Sequence, residues 1–189
     1  MNSFYTPQEL QEIGLKKYGS DVLISRKCSI YSADKVELGD HVRIDDFAIL
    51  SGRIKLGSYI HISAYTGLFG GEAGIEIRDF ATISSRVMIY AVNDDYSGET
   101  MTNPMIPAQY RGVVEKKVVI EKHAIIGSGS LVLPGVRIGE GAALGAISMT
   151  KDNLTEWKVY AGIPCQYIKD RKRDLLKLEQ GVILCNLIQ

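Results

Sequence analysis

From Ile126 to Met149 the chain reads IGSGSLVLPGVRIGEGAALGAISM, with an aliphatic residue at every sixth position: Ile126, Val132, Ile138 and Leu144. A helix repeats its apolar face every 3.6 residues and a half-buried strand every 2, so this spacing suits neither as one continuous element. The ladder extends backwards through Ile120 and Val114. It recurs as Ile77, Ile83 and Ile89, and as Leu38, Ile44, Leu50, Leu56, Ile62 and Leu68. Four residues after most of these stands a second small or aliphatic residue: Val42, Ala48, Ile54, Ile60, Thr66, Ala81, Val87, Ala124, Ser130, Val136, Ala142 and Ser148. Two inward positions in every six describe a chain that turns a corner every six residues. Glycine directly after the aliphatic residue, as at Gly39, Gly57, Gly127, Gly139 and Gly145, suits tight turning. The pattern predicts an all-β solenoid, whose short strands bury their ladders only by stacking coil on coil. A sandwich of strands would instead show turn signals every 8 to 12 residues.

Three segments fall outside the ladder. Thr6-Pro7-Gln8-Glu9 has the form of an N-cap, a first-turn proline and a capping-box glutamate, which predicts a helix to about Tyr18 that caps the first coil. Near the other end, IKDRKRDLLKLEQ predicts a helix lying on the coil through Leu175, Leu176 and Leu178, with a basic cluster at Lys169, Arg171, Lys172 and Arg173. Between Ile89 and Val114, NDDYSGETMTNPMIPAQYRG carries proline, glycine and polar residues, so the chain leaves the coil and returns. A smaller interruption, FGGEAG at 69–74, reads as a bulge at a corner. The expected organisation is a helical cap over 1–21, a solenoid over 22–150 with a protruding loop over 93–113, and an extension with a helix over 151–189.

Composition narrows the function classes. The 189 residues are 46% hydrophobic with zero formal net charge, which fits a globular core and argues against a nucleic-acid partner. The N-terminal residues lack a secretory pattern and no apolar run suffices to span a bilayer, so a cytoplasmic protein without membrane insertion is expected. Three cysteines, Cys28, Cys165 and Cys185, without metal-ligand spacing read as reduced thiols. The histidines His41, His61 and His123 are too far apart along the ladder for a zinc site. By their place in the six-residue repeat, His41 and His123 read as solvent-facing turn residues.

The ladder from about Val22 to Thr150, the loop that interrupts it and the ending GAISMTKDNLTEWKVYAGIPCQYIK together resemble the left-handed β-helix hexapeptide-repeat acyltransferases. Within them the chain is similar to the sugar O-acetyltransferase group that includes galactoside and maltose acetyltransferases. Its VNDDYSGETMTNPMIP stretch resembles a branch acting on amino-deoxy sugar nucleotides, the dTDP-4-amino-4,6-dideoxyglucose acetyltransferases. The resemblance implies a left-handed parallel β-helix and a homotrimer with active sites between neighbouring coils. It implies acetyl-coenzyme A as co-substrate, no metal, and a sugar or sugar-nucleotide acceptor destined for surface polysaccharide.

Carried over by motif, the coenzyme contacts are Ser128, Gly145, Ala146, Thr150 and Lys151, with Lys169 meeting phosphate as a point charge. Gln166 stands where galactoside acetyltransferases carry an arginine. The galactoside and maltose enzymes use a loop histidine as general base, and here the matching loop reads Asn93-Asp94-Asp95-Tyr96. The candidate catalytic groups are therefore Asp94, Asp95 and His61. A carboxylate can orient an ammonium and take its proton, which favours an amine acceptor over a hydroxyl. Asp45, Asp46, Asn93 and Tyr90 are the candidate acceptor contacts, with Tyr65, Phe69 and Tyr90 as a stacking wall. Direct transfer in a ternary complex is expected, since no cysteine lies near the loop. Two alternatives stand beside this: a galactoside- or maltose-type O-acetyltransferase, and a non-catalytic hexapeptide scaffold.

Overall fold

The computed structural model describes residues 3–186. Its strands are short and stack in parallel, so that each circuit of the chain adds one rung to each of three faces. The first face runs through Leu23–Ile24, Val42–Ile44, Ile60–Ile62, Thr82–Ile83, Ile125–Ile126, Ala143–Leu144 and Lys158–Gly162. The second carries Ser29–Tyr31, the beginnings of Ile49–Leu56 and Gly67–Ile77, then Met88–Tyr90, Leu131–Val132 and Met149–Thr150. The third holds Val36–Leu38, the ends of the same two long strands, Val118–Ile120 and Arg137–Ile138. Ile44 faces Ile62, Ile126 faces Leu144 and Val132 faces Thr150, each 18 residues along the chain. One circuit is thus three faces of six residues, which is the physical origin of the sequence period.

Both inward sets are buried. Every ladder residue from Leu38 to Leu144 except Val114 lies in one continuous core, and so do Val42, Ala48, Ile54 and Ala124, while Thr66, Ser130 and Ser148 are buried as well. A fully buried Ile or Leu side chain contributes roughly 1.5–3 kcal/mol relative to its exposed state. Here that burial exists only between neighbouring coils. Val114 is the exception: it sits exposed in a hairpin, so the excursion runs on to Lys117 and the core resumes at Val118. The FGGEAG stretch is a bulge inside Gly67–Ile77, where the register shifts and Gly71 and Gly74 take positive φ.

The corners place side chains in the left-handed region, uncommon for bulky residues. At the corner between the first and second faces these are Phe47, Tyr65, Arg86, Gly129 and Ile147. Stacking offsets the strain there. Each donates its N–H to a carbonyl one coil below, as in Tyr65 to Asp46, Arg86 to Ala64, Gly129 to Ser85 and Ile147 to Ser128. The corner leading into the first face carries an aromatic column: His41, Tyr59, Phe80 and His123 stack with centroids 4.7, 4.6 and 5.3 Å apart, and Trp157 follows tilted at 6.3 Å. His123, expected to face solvent, is only 7% exposed because this column and the C-terminal helix enclose it.

Both ends are closed. The Thr6 hydroxyl accepts from Glu9 N at 3.3 Å while the Glu9 carboxylate accepts from Thr6 N at 2.7 Å, completing the capping box. The helix spans Pro7–Glu12 and stops short of Tyr18, because Gly14 turns the backbone to a φ of 78°. Leu10 is buried, and Ile13, Leu15 and Tyr18 pack on the core beside it. At the other end pairing continues beyond Thr150: Leu154 bridges to Ile138, and Cys165–Asp170 folds back antiparallel on Lys158–Gly162. The helix Leu175–Asn186 then lies against the first face. Its Glu179 accepts from His123 Nε2 at 2.8 Å and pairs with Lys122. Burial works against the charge on Glu179, and the bonds from Lys122 and His123 outweigh it, holding the carboxyl below its usual range. Arg171 donates to the carbonyls of His123 and Gly141, both at 2.9 Å, and Arg173 lies over the Trp157 ring. Those two cations of the basic cluster therefore anchor the chain end.

Candidate active site

The excursion leaves the second face after Tyr90 and begins as a hairpin, Val92–Asp94 against Val113–Glu115. Between this hairpin and the coil lies a cleft of about 670 Å³. Its floor is the outer side of the second face, Met88, Tyr90, Leu131 and Leu133, and its rim is the corner residues Arg86 and Gly129. Asn93 and Tyr96 form the loop side. Tyr90 stacks on Phe69 at 4.8 Å, so two members of the expected aromatic wall lie together on this face. Tyr65 instead stacks on Phe47 at the corner, 4.9 Å away, with Arg86 over its ring.

Asn93 faces the cleft, while Val92 packs above Gly71. The Asp94 side chain is exposed and has no hydrogen bond or ion pair among the described residues. Asp95 differs completely. Its carboxylate accepts from Ser97 N at 2.8 Å, Thr100 N at 3.0 Å and the Thr100 hydroxyl at 2.8 Å. The bonds from Ser97, then those from Thr100, hold its carboxyl far below the usual range. Asp95 is thus committed to the loop backbone, whereas Asp94 is available.

His61 lies outside the cleft lining, on the outer side of the first face between Arg43 and Thr82. Its Nε2 meets Asp45 at 2.7 Å, and Asp45 also accepts from Arg43 at 2.7 Å. Burial opposes the charge on Asp45, and the bonds from Arg43 and His61 outweigh it, so the carboxyl lies below its usual range. Asp46 points to the preceding coil, bonded to the Ser25 hydroxyl and to Lys27 at 3.0 Å. The two acidic neighbours are therefore divided between two partner sets.

Ser128 and Ala146 occupy the same corner one coil apart, with Ile147 N donating to Ser128 O at 2.8 Å. Both residues are exposed, and among the described residues their N–H groups meet no acceptor. Just beneath, the Ser130 hydroxyl donates to Gly145 O at 2.8 Å and the Ser148 hydroxyl donates to Ala146 O at 3.2 Å. These inward serines hold the corner carbonyls and leave the N–H groups facing out. A Cβ on Gly127 would lie 2.4 Å from Ala146 N, so coil packing itself requires glycine at that position. Thr150 is buried, and its hydroxyl ties the following turn by donating to Asp152 O at 2.7 Å. Lys151 pairs with Asp152 at the surface, and Lys169 lies exposed on the terminal hairpin opposite Val159.

Arg86, Met88, Tyr96, Leu131 and Leu133 were not among the residues read from sequence as site members. Their signal was faint: Met88, Leu131 and Leu133 are apolar side chains at outward positions of a ladder whose inward positions draw the eye, Arg86 is a corner residue and Tyr96 lies in the loop. Cys28 is packed against the core and its thiol is pushed up to about 12 by burial, while Cys165 is half-buried beside the turn of the terminal hairpin, outside the cleft lining. No group of three or more metal-ligating side chains occurs among the described residues, and none of their helices is long and apolar enough to cross a membrane.

A solenoid of three-sided coils, six residues to a side, whose one long excursion borders a cleft is the architecture of a hexapeptide-repeat acyltransferase. The chain belongs to the dTDP-4-amino-4,6-dideoxyglucose acyltransferase family, being 45% identical over 174 residues to the Escherichia coli enzyme of that name, which covers 90% of each chain. AntD, an N-acyltransferase from Bacillus cereus solved with dTDP and 3-hydroxybutyryl-coenzyme A, is 51% identical, with a TM-score of 0.96 across 100% of both chains. Its S84C variant, solved with dTDP-4-amino-4,6-dideoxyglucose and coenzyme A, superimposes with a TM-score of 0.95 over 98% of this chain and 99% of that one. WbbJ of Escherichia coli strain K12, named for O-acetyl transfer in lipopolysaccharide biosynthesis, is 28% identical over 78% of each chain. No family model matches the chain. It is an acyl-coenzyme A-dependent acyltransferase that modifies a sugar nucleotide.

Proposed function

We propose that this enzyme N-acylates the 4-amino group of a dTDP-linked 4-amino-4,6-dideoxy sugar by direct transfer from an acyl-coenzyme A, with Asp94 as general base. The observation that carries this is the division between the two loop aspartates: the Asp95 carboxylate is bonded three times over, and the Asp94 carboxylate is exposed without a partner among the described residues. Asp94 orients the acceptor ammonium and takes its proton. The freed amine attacks the thioester carbonyl carbon, the C–S bond breaks, and the nitrogen gives up its second proton to the departing thiolate, which leaves as the thiol. AntD lends support, since its solved variants include D94A and S84C and this chain carries Asp94 and Ser84 at those numbers.

The coenzyme lies along the corner of Ser128 and Ala146, whose outward N–H groups donate to the amide carbonyls of its arm. Lys151 and Lys169 meet its phosphates. Asn93 and Tyr90 contact the acceptor, and the pair of Asp45 and His61 serves sugar hydroxyls from the first face. The working unit is a homotrimer. The outward residues of the second face include Ile49, Phe69, Met88, Leu131 and Met149, whereas the third presents Glu37, Lys55, Glu76 and Arg137. An apolar face of that extent is covered by another copy, while the charged face meets water. The reaction is cytoplasmic and its product feeds surface polysaccharide.

Thiol release tests the reading when dTDP-4-amino-4,6-dideoxyglucose is set beside dTDP-6-deoxyglucose, which carries a hydroxyl at the same carbon. Acetyl- and 3-hydroxybutyryl-coenzyme A serve as donors. Turnover confined to the amine is the expected result; turnover on the hydroxyl compound alone would make the enzyme an O-acyltransferase and remove Asp94 from its role.

A further inference from the structure

Immediately beyond the hairpin the two arms of the excursion are joined by a closed set of bonds. Asp95 N donates to Gly112 O at 3.1 Å, Gly112 N donates to the Thr100 hydroxyl at 2.8 Å, and that hydroxyl donates to Asp95 at 2.8 Å. Ser97 N and Thr100 N complete the coordination of the Asp95 carboxylate. The clasp is sterically exact in one place. A Cβ on Gly112 would stand 2.5 Å from the Thr100 oxygen, so only glycine lets the returning strand close on Thr100. The carboxyl of Asp95 stays ionised well below neutrality because of these bonds, and so remains an acceptor throughout the working pH range.

We propose that Asp95, Thr100 and Gly112 form a positioning clasp that fixes Asp94 against the acceptor amine. The inference rests on the assignment of Asp94 as the base. It gives the second loop aspartate a role without proton transfer: Asp95 sets the path of the backbone at the next residue. The remaining supports of Asp94 are the hairpin bonds on the coil side, and across the two arms beyond it the other backbone link among the described residues is that of Met101 with Tyr110 and Arg111. Displacing a catalytic group by about 1 Å can cost on the order of 10²-fold in rate.

The test is Thr100→Val, which keeps the side-chain shape and removes both the donor and the acceptor, compared with Thr100→Ser, which keeps them. Turnover number, the KM for acetyl-coenzyme A, amide exchange of residues 97–112 and exchange of the coil core are read on the same preparations. The expected result for Thr100→Val is a fall in kcat of about 10²-fold, with an unchanged KM for acetyl-coenzyme A, faster exchange at Ser97 and Gly112, and a protected core. Thr100→Ser recovers most of the rate. Faster loop exchange in Thr100→Val with wild-type kcat overturns the clasp, and so does an equal rate loss in Thr100→Ser. Asp94→Asn measured alongside separates the two claims: wild-type turnover there removes Asp94 as base, whereas an inactive Asp94→Asn with a fully active Thr100→Val removes only the clasp.

Discussion

Asp94→Asn is expected to lower kcat by about 10²–10⁴-fold, the usual contribution of a positioned general base, while leaving thermal stability and coenzyme affinity as they are. The substitution changes the charge and proton affinity of one exposed side chain and little else. The Asp94 carboxylate makes no hydrogen bond or ion pair among the described residues, so the fold loses no partner when it becomes an amide. Asp95→Asn is expected to behave differently, since the amide presents an N–H₂ where Ser97 and Thr100 require acceptors, and it loosens the loop. Steady-state kinetics with the amino-sugar nucleotide, paired with melting curves, distinguishes the two. An Asp94→Asn enzyme at wild-type speed would remove Asp94 as the base.

The largest effect on the fold is expected from Ile126→Ala, a loss of about 2–5 kcal/mol as for other buried Ile or Leu truncations. Ile126 is fully buried and lies in register between Ile83 on one coil and Leu144 on the next. The cavity cannot be filled by the coils moving together, because Gly127 already lets the backbone of Ala146 approach so closely that a single Cβ would not fit. Ile125→Ala, half-buried on the outer side of the same strand, removes the same kind of side chain from a site that solvent can fill. Its cost is expected to be clearly smaller. Denaturant midpoints of the two variants give the comparison. Equal midpoints would mean that the inward ladder is not what holds the coils together.

The ladder was legible because a coil of three six-residue faces prints its geometry directly on the sequence, and each inward residue can be named without a template. The capping box at Thr6 and Glu9 was legible for the same reason, since all its parts lie within four residues. Failures came where distant contacts decide. Val114 keeps the six-residue spacing, yet its segment pairs with Val92–Asp94 and leaves the core. The helix after Thr6 ends at Gly14 although the pattern of apolar residues continues to Tyr18. His123 looked like a turn residue facing water, and it is enclosed by Phe80, Trp157 and a glutamate 56 residues further along. In the candidate site, Asn93 and Tyr90, read from sequence as acceptor contacts, both line the cleft, but the different surroundings of Asp94 and Asp95 could not be separated from sequence. Thr100 and Gly112, the residues that bind Asp95 to the loop, carry no motif that announces them.

The most direct test is the structure of the product formed from acetyl-coenzyme A and dTDP-4-amino-4,6-dideoxyglucose, read by mass spectrometry and NMR after exposure to mild base. The expected product carries one acetyl group as an amide on the C4 nitrogen, stable to that treatment. Release of coenzyme A with an unmodified amine, or an acetyl group that leaves as an ester does, would contradict N-acylation and return the loop aspartates to structural parts.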